Sequence, residues 1–306
     1  MAEKTSTEPE AKTGSTGTLT QLFAGLVWLG TSLYVAYITI KYDAAGPSGA
    51  LGAMAAALPG AIAAALVTGA SIGHAASGRF RGAGGRLLAG LGMGLLFGLV
   101  IAAGIRLVYG DNPTIMKLAV LVGVASVLGG VLAVLPDKVL DAGLWATTWV
   151  FAAGLFLGAL QNQGVTLLGG GPTADAAAQA AAATRFVYIQ SILTGLLAAA
   201  HGYRWLTFGR PGIGWHFVAG ALPGGFLLAA EWLTRVGGSS LTNIVTGYSA
   251  TAPSLIDATP TSRLRHALIV LLVGGLLTML SAVVFRARVD DASAFDNVDS
   301  DSDSDD

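Results

Sequence analysis

Of the 306 residues, 53% are hydrophobic and only 11% charged, against roughly 25% charged in an average soluble domain, which excludes an ordinary soluble core. The absence of cysteine excludes disulfides, cysteine-ligated zinc, iron–sulfur clusters and thiol catalysis. The formal net charge of -1 hides an asymmetry: eight aspartates lie between 290 and 306, and seventeen cations against the ten remaining acidic residues leave +7 on the rest of the chain.

Residues 1–18, rich in Ser, Thr and Glu, cannot bury enough apolar surface to offset ordering entropy and are expected to form a disordered cytoplasmic tail. They hold no short apolar core ending in a small-residue cleavage site, so the first hydrophobic segment is expected to act as an uncleaved anchor. Crossing about 30 Å of hydrocarbon takes roughly 20 apolar residues. Eight stretches qualify, at about 20–40, 50–74, 87–109, 115–135, 140–160, 185–206, 213–234 and 265–285. The expected fold is all-α, a polytopic integral membrane bundle of about eight transmembrane helices forming one domain over 19–288.

The second stretch carries Pro59 inside "AALPGAIAAAL", and the seventh carries Pro223 inside "GALPGGFLLAA". In the third, Gly90, Gly94, Gly98, Ala102 and Arg106 recur every four residues. They form a smooth face that another helix can approach closely. "GLGMGLLFG" is no phosphate loop, since no strand precedes it and no Lys-Ser or Lys-Thr follows. Asp141, Trp145 and Thr148 make a short polar stripe at the start of the fifth stretch.

The connection from Gln161 to Thr184 holds an alanine run that reads as a short helix capped by Thr173, or as an outward extension of the sixth span. That span is the most polar, and Gln190, Thr194, Ala198 and His201 share one face. An amide and a hydroxyl facing lipid would lack partners, so this face is expected to meet protein or a watered cavity. The polar segment "VGGSSLTNIVTGYSATAPSLIDATPTSR" reads as a packed loop or lid. Residues 289–306 read as a disordered acidic tail.

With the N-terminus inside, short inner loops collect ten lysines and arginines against seven outside, including the clusters "RFRGAGGR" and "FRAR". The positive-inside rule then puts both termini in the cytoplasm of a multi-pass plasma membrane protein. Ionisable residues at membrane depth mark function because they are costly, and few are present. His74, His201, His216 and His266 stand singly near span ends, without metal-ligand spacing. Glu231 is the carboxylate farthest into an apolar segment, and a structural ion pair with Arg106 is expected, with Arg235 at i+4 as a competing local partner.

Pro59 and Pro223 each fall about nine residues into their spans, at matching depths from opposite faces under this topology. Kinked helices in oppositely oriented units expose backbone at the substrate sites of inverted-repeat transporters. The match is short and made of common residues. Pro59, Gln190, Thr194 and Pro223 are therefore the candidate ligand or pathway residues, with no catalytic or metal site, no cofactor and no nucleic acid partner. The leading functional reading is a transporter or permease-like protein for a small uncharged or amphiphilic solute. The alternative is a non-catalytic accessory or scaffold protein that binds other membrane components through the Gly90, Gly94, Gly98 face. Asp257, Arg263 and Arg265 at the outer side are thin material for acid–base chemistry.

Overall fold

The computed structural model describes residues 14–42, 47–80, 82–109, 113–207, 212–248 and 253–299, with side chains described over 19–34, 37–38, 58–80, 82–108, 116–207, 212–237 and 261–285. Among the described residues the chain forms nine α-helices and no strand: α1 (Gly14–Tyr42), α2 (Pro47–Ser77), α3 (Ala83–Tyr109), α4 (Pro113–Val131), α5 (Asp137–Ala159), α6 (Gln161–Leu167), α7 (Ala176–Leu206), α8 (Ile213–Tyr248) and α9 (Pro253–Asp299). A 3-10 turn, Leu132–Val134, joins α4 towards α5. Seven helices contain a segment long and apolar enough to cross a membrane, from Leu58–Ser77 to Thr261–Phe285. The remaining expected span is the 29-residue α1. These are the helices of a multi-pass membrane protein, because a helix satisfies its own backbone polar groups where no water can.

Local signals set several boundaries. Pro136 stands at the N-cap of α5 with extended backbone, which ends the preceding turn and leaves Asp137 in the first helical turn, where the helix dipole favours an anion. The cap of α7 is Asp175, whose Oδ1 accepts from the Ala178 amide at 2.7 Å. Thr173, expected in that role, lies two residues too early to reach the first turn's free amides. The connection before it also holds the seven-residue α6. Helix is assigned to α8 as far as Tyr248 and to α9 as far as Asp299, so both extend into segments read from composition as a loop and an acidic tail. The side chains of 238–260 and the whole of 300–306 lie outside the described residues.

The middle of the bundle is α2, which packs on α1, α3, α4 and α8. Its span is 83% buried, against 22% for that of α3. The reason is in its sequence: "GAIAAALVTGASIGHAAS" offers small side chains all round, so neighbours approach from every side. On α3, in contrast, Leu95, Leu96, Leu99 and Leu107 remain exposed, as lipid-facing residues do.

Two groups of four helices share most of one contact scheme, the second adding a contact of α5 with α8. In the first, α2 packs on α1, α3 and α4, and α3 packs on α4; in the second, α7 packs on α5, α8 and α9, and α8 packs on α9. Matching small residues sit where three helices meet. Gly73 of α2 lies against Gly90 of α3 and Gly130 of α4, and Gly202 of α7 lies against Gly220 of α8 and Thr278 of α9. The halves meet along α2–α8, α4–α8, α1–α5 and α2–α5.

The stripe of Gly90, Gly94 and Gly98 is buried. A Cβ on Gly90 would come 2.2 Å from the Gly130 carbonyl oxygen, one on Gly94 2.8 Å from that of Ser126, and one on Gly98 2.8 Å from that of Gly123. The helix that uses this face is therefore α4 of the same chain. The expectation that the stripe could dock another membrane protein is corrected accordingly: its surface is consumed inside the bundle.

Candidate functional site at the seam between the halves

The last turn of α2 brings His74 to the seam, 6% exposed. Facing it, α5 begins with Asp137 and Asp141 at i, i+4, which places both carboxylates on one side of the helix. The ring Nε2 lies 2.9 Å from Asp141 Oδ1, and Nδ1 lies 3.6 Å from Asp137 Oδ1. Arg86, at the start of α3, donates from Nε to the Ala133 carbonyl at 3.0 Å and from Nη2 to the Leu135 carbonyl at 2.7 Å and to Asp137 Oδ1 at 2.5 Å. From α1, Gln21 Nε2 donates to the Asp141 carbonyl at 3.2 Å. Four helices and the 3-10 turn are thus tied at one end of the bundle. Two buried atoms there have no hydrogen-bond partner: His74 Nδ1 and Gln21 Oε1. Among the described residues no three His, Asp or Glu groups converge as metal ligands would; the contacts of the cluster are ion pairs and hydrogen bonds.

A second charged cluster is centred on Glu231, near the C-terminal end of the apolar segment Ile213–Gly237 of α8. Glu231 is 3% exposed. Arg235 donates from Nε to its Oε1 at 3.2 Å, and Arg263 of α9 approaches Oε2 at 3.3 Å. Arg106 is exposed near the end of α3. The Glu231 carboxylate thus has two arginine partners on α8 and α9, of which the local one, Arg235, is visible in the sequence.

The candidate pathway residues are divided between the halves. Pro59 on α2 is half-buried and Pro223 on α8 is fully buried, and these two helices pack together across the seam. Gln190 and Thr194 stand on α7, within the second half. The Thr194 hydroxyl donates to its own helix, at the Gln190 carbonyl 2.8 Å away. Cross-helix bonding falls instead to Ser191, whose Oγ is 2.7 Å from His266 Nδ1 of α9 and 2.6 Å from the Val187 carbonyl. His201 stacks on Trp149 with ring centroids 4.9 Å apart, and Trp145 stacks on Trp205 at 5.8 Å.

Sequence reasoning left His74 as a lone histidine because its carboxylate partners belong to another helix. The available signal was Asp137 and Asp141, paired one turn apart at a span end on the same side of the membrane as the end of α2. Compared with protein-family models, curated proteins and solved structures, the chain has no match in any of the three.

Proposed function

We propose that the protein is a transporter or permease-like protein that moves a small uncharged or amphiphilic solute along the seam between its two halves, in the plasma membrane with both termini cytoplasmic. One observation carries this reading. Every described glycine at which an added Cβ would fall within 2.5 Å of another helix's backbone is met from its own half: Gly69 by Ser126, Gly90 and Gly130 by each other, Gly129 by Leu66, Gly220 and Gly274 by each other, and Gly224 by Leu271. Such backbone-to-backbone packing makes each half stiff. Across the seam the contacts run through larger side chains, with Leu58, Ile62, Phe226 and Leu233 in one apolar cluster and Leu121 against Gly237. The seam, where the contacts run through side chains rather than backbone, is the plane along which we take the two halves to part. Rocking of one helical bundle against another is how alternating access works in repeat-built transporters.

Pro59 and Pro223 belong to the facing helices of that plane, whereas Gln190 and Thr194 stand on α7, which packs within the second half, so their proposed solute contact lies on that half's side of the path rather than on the seam itself. The apolar lining fits a solute without net charge. Purified protein reconstituted in liposomes and challenged osmotically with glycerol, urea and erythritol should show faster solute entry than protein-free vesicles for at least one of them, read by light scattering. Equal rates for the whole panel would favour the accessory or scaffold reading.

A further inference from the structure

The cluster around His74 has a property that a plain ion pair lacks: its closure depends on a proton. A neutral imidazole has one N–H. If Nε2 carries it and donates to Asp141, the bare Nδ1 faces an Asp137 oxygen at 3.6 Å, acceptor against acceptor. The orphaned His74 Nδ1 and Gln21 Oε1 are both buried, and a buried acceptor without a donor is destabilising. A second ring proton turns the 3.6 Å contact with the half-exposed Asp137 from repulsive to attractive and sets one histidine of the first half between two carboxylates of the second.

We infer that His74, Asp137 and Asp141 form a proton-binding latch between α2 and α5, which tightens this end of the seam when the imidazole is doubly protonated and loosens it, with Arg86 and Gln21 still tying α5 to the first half, when it loses a proton. The ligand is a proton, taken from and returned to water, and no other reactant is needed. The groups around the ring fit this role. From α5 come Asp137 and Asp141, with Lys138 exposed beside them; from α3 comes Arg86, which shares the Asp137 oxygen with His74. From α1 comes the neutral Gln21, and from the 3-10 turn and the residue after it come only the carbonyls of Ala133 and Leu135, both held by Arg86. The turn after α2 carries the exposed Arg79, and α8 carries His216 with its Nδ1 towards the Gly212 carbonyl. Because closure needs the proton, rising pH opens the latch. The latch stands on the geometry of the seam and does not require solute passage.

The cysteine-free chain makes the test direct. Ser77 is fully buried one turn beyond His74, so Ser77→Cys reports opening there. Its labelling rate by N-ethylmaleimide in lipid nanodiscs is divided at each pH by that of Arg79→Cys, an exposed control that cancels thiol ionisation. Between about pH 5.5 and about pH 8.5, the ratio should rise about tenfold with His74 present and stay constant in a His74→Gln background. A flat ratio with His74 present, or the same rise without it, overturns the latch. Should Ser77→Cys fold poorly, tryptophan-monitored thermal unfolding of the unaltered protein gives the same decision. Its Tm should fall from the lower to the higher pH, by a margin absent in His74→Gln; equal margins in both proteins refute the proposal.

Discussion

At Glu231 a carboxylate sits 3% exposed within α8, near the end of its apolar segment, a position that costs several kcal/mol unless the charge is paired. Arg235 and Arg263 supply the pairing. Replacing Arg263 with Gln should lower stability by about 1 kcal/mol, short of the roughly 3–5 kcal/mol of an isolated buried pair, because Arg235 remains and solvent screens both arginines. The cross-helix pairing of Arg106 with Glu231 remains a proposal with its own test. In thermal denaturation, Arg106→Leu and Glu231→Leu should each destabilise more than the double replacement; equal stability of all three speaks against the pair. Arg235 is readable at i+4, but Arg263 is not, since nothing in a sequence states which helix ends lie side by side. The same limit applies to Gln190 and Thr194. Their shared face is a matter of helical period, whereas the choice of Ser191 as the residue that reaches His266 depends on how α7 is rotated against α9.

Helices were the legible level. A run of about twenty apolar residues in lipid has little alternative to helix, so each of the eight stretches falls on one. The glycine repeat on α3 was equally visible as a close-contact face, while the identity of its partner, α4, depends on tertiary packing. That packing predicts a contrast. Gly69→Ala places a Cβ 2.1 Å from the Ser126 carbonyl oxygen, whereas Gly92→Ala meets nothing within 4 Å. The first should cost about 1–3 kcal/mol through overpacking, and the second should be neutral or stabilising by up to about 1 kcal/mol through helix propensity. Thermal unfolding of the two variants in the same detergent checks this. The prolines give a functional contrast at the same level. Pro59→Ala and Pro223→Ala should restore a helix hydrogen bond and leave folded yield intact while slowing solute entry, with Gln190→Leu giving a similar defect. Full activity in both proline variants would remove Pro59 and Pro223 from the pathway.

For the molecule as a whole, the division into two halves was not legible, because the match between α1–α4 and α5, α7, α8 and α9 lies in who packs on whom and in a few small residues rather than in similar strings. Sidedness was inferred from charge alone, and single cysteines settle it. An impermeant thiol reagent outside intact cells should label Thr173→Cys and spare Arg79→Cys, both exposed positions; the reverse pattern inverts the topology. Passage along an opening seam is tested most directly by tying the seam shut. In Asp141→His the new imidazole stands on the Nε2 side of His74, and the two rings can join α2 to α5 through one zinc ion whose remaining positions are filled by water. In liposomes, zinc should stop solute entry through this variant, a chelator should restore it, and the unaltered protein should respond to neither. Entry that continues unchanged with zinc demonstrably bound would contradict a path that depends on the two halves parting.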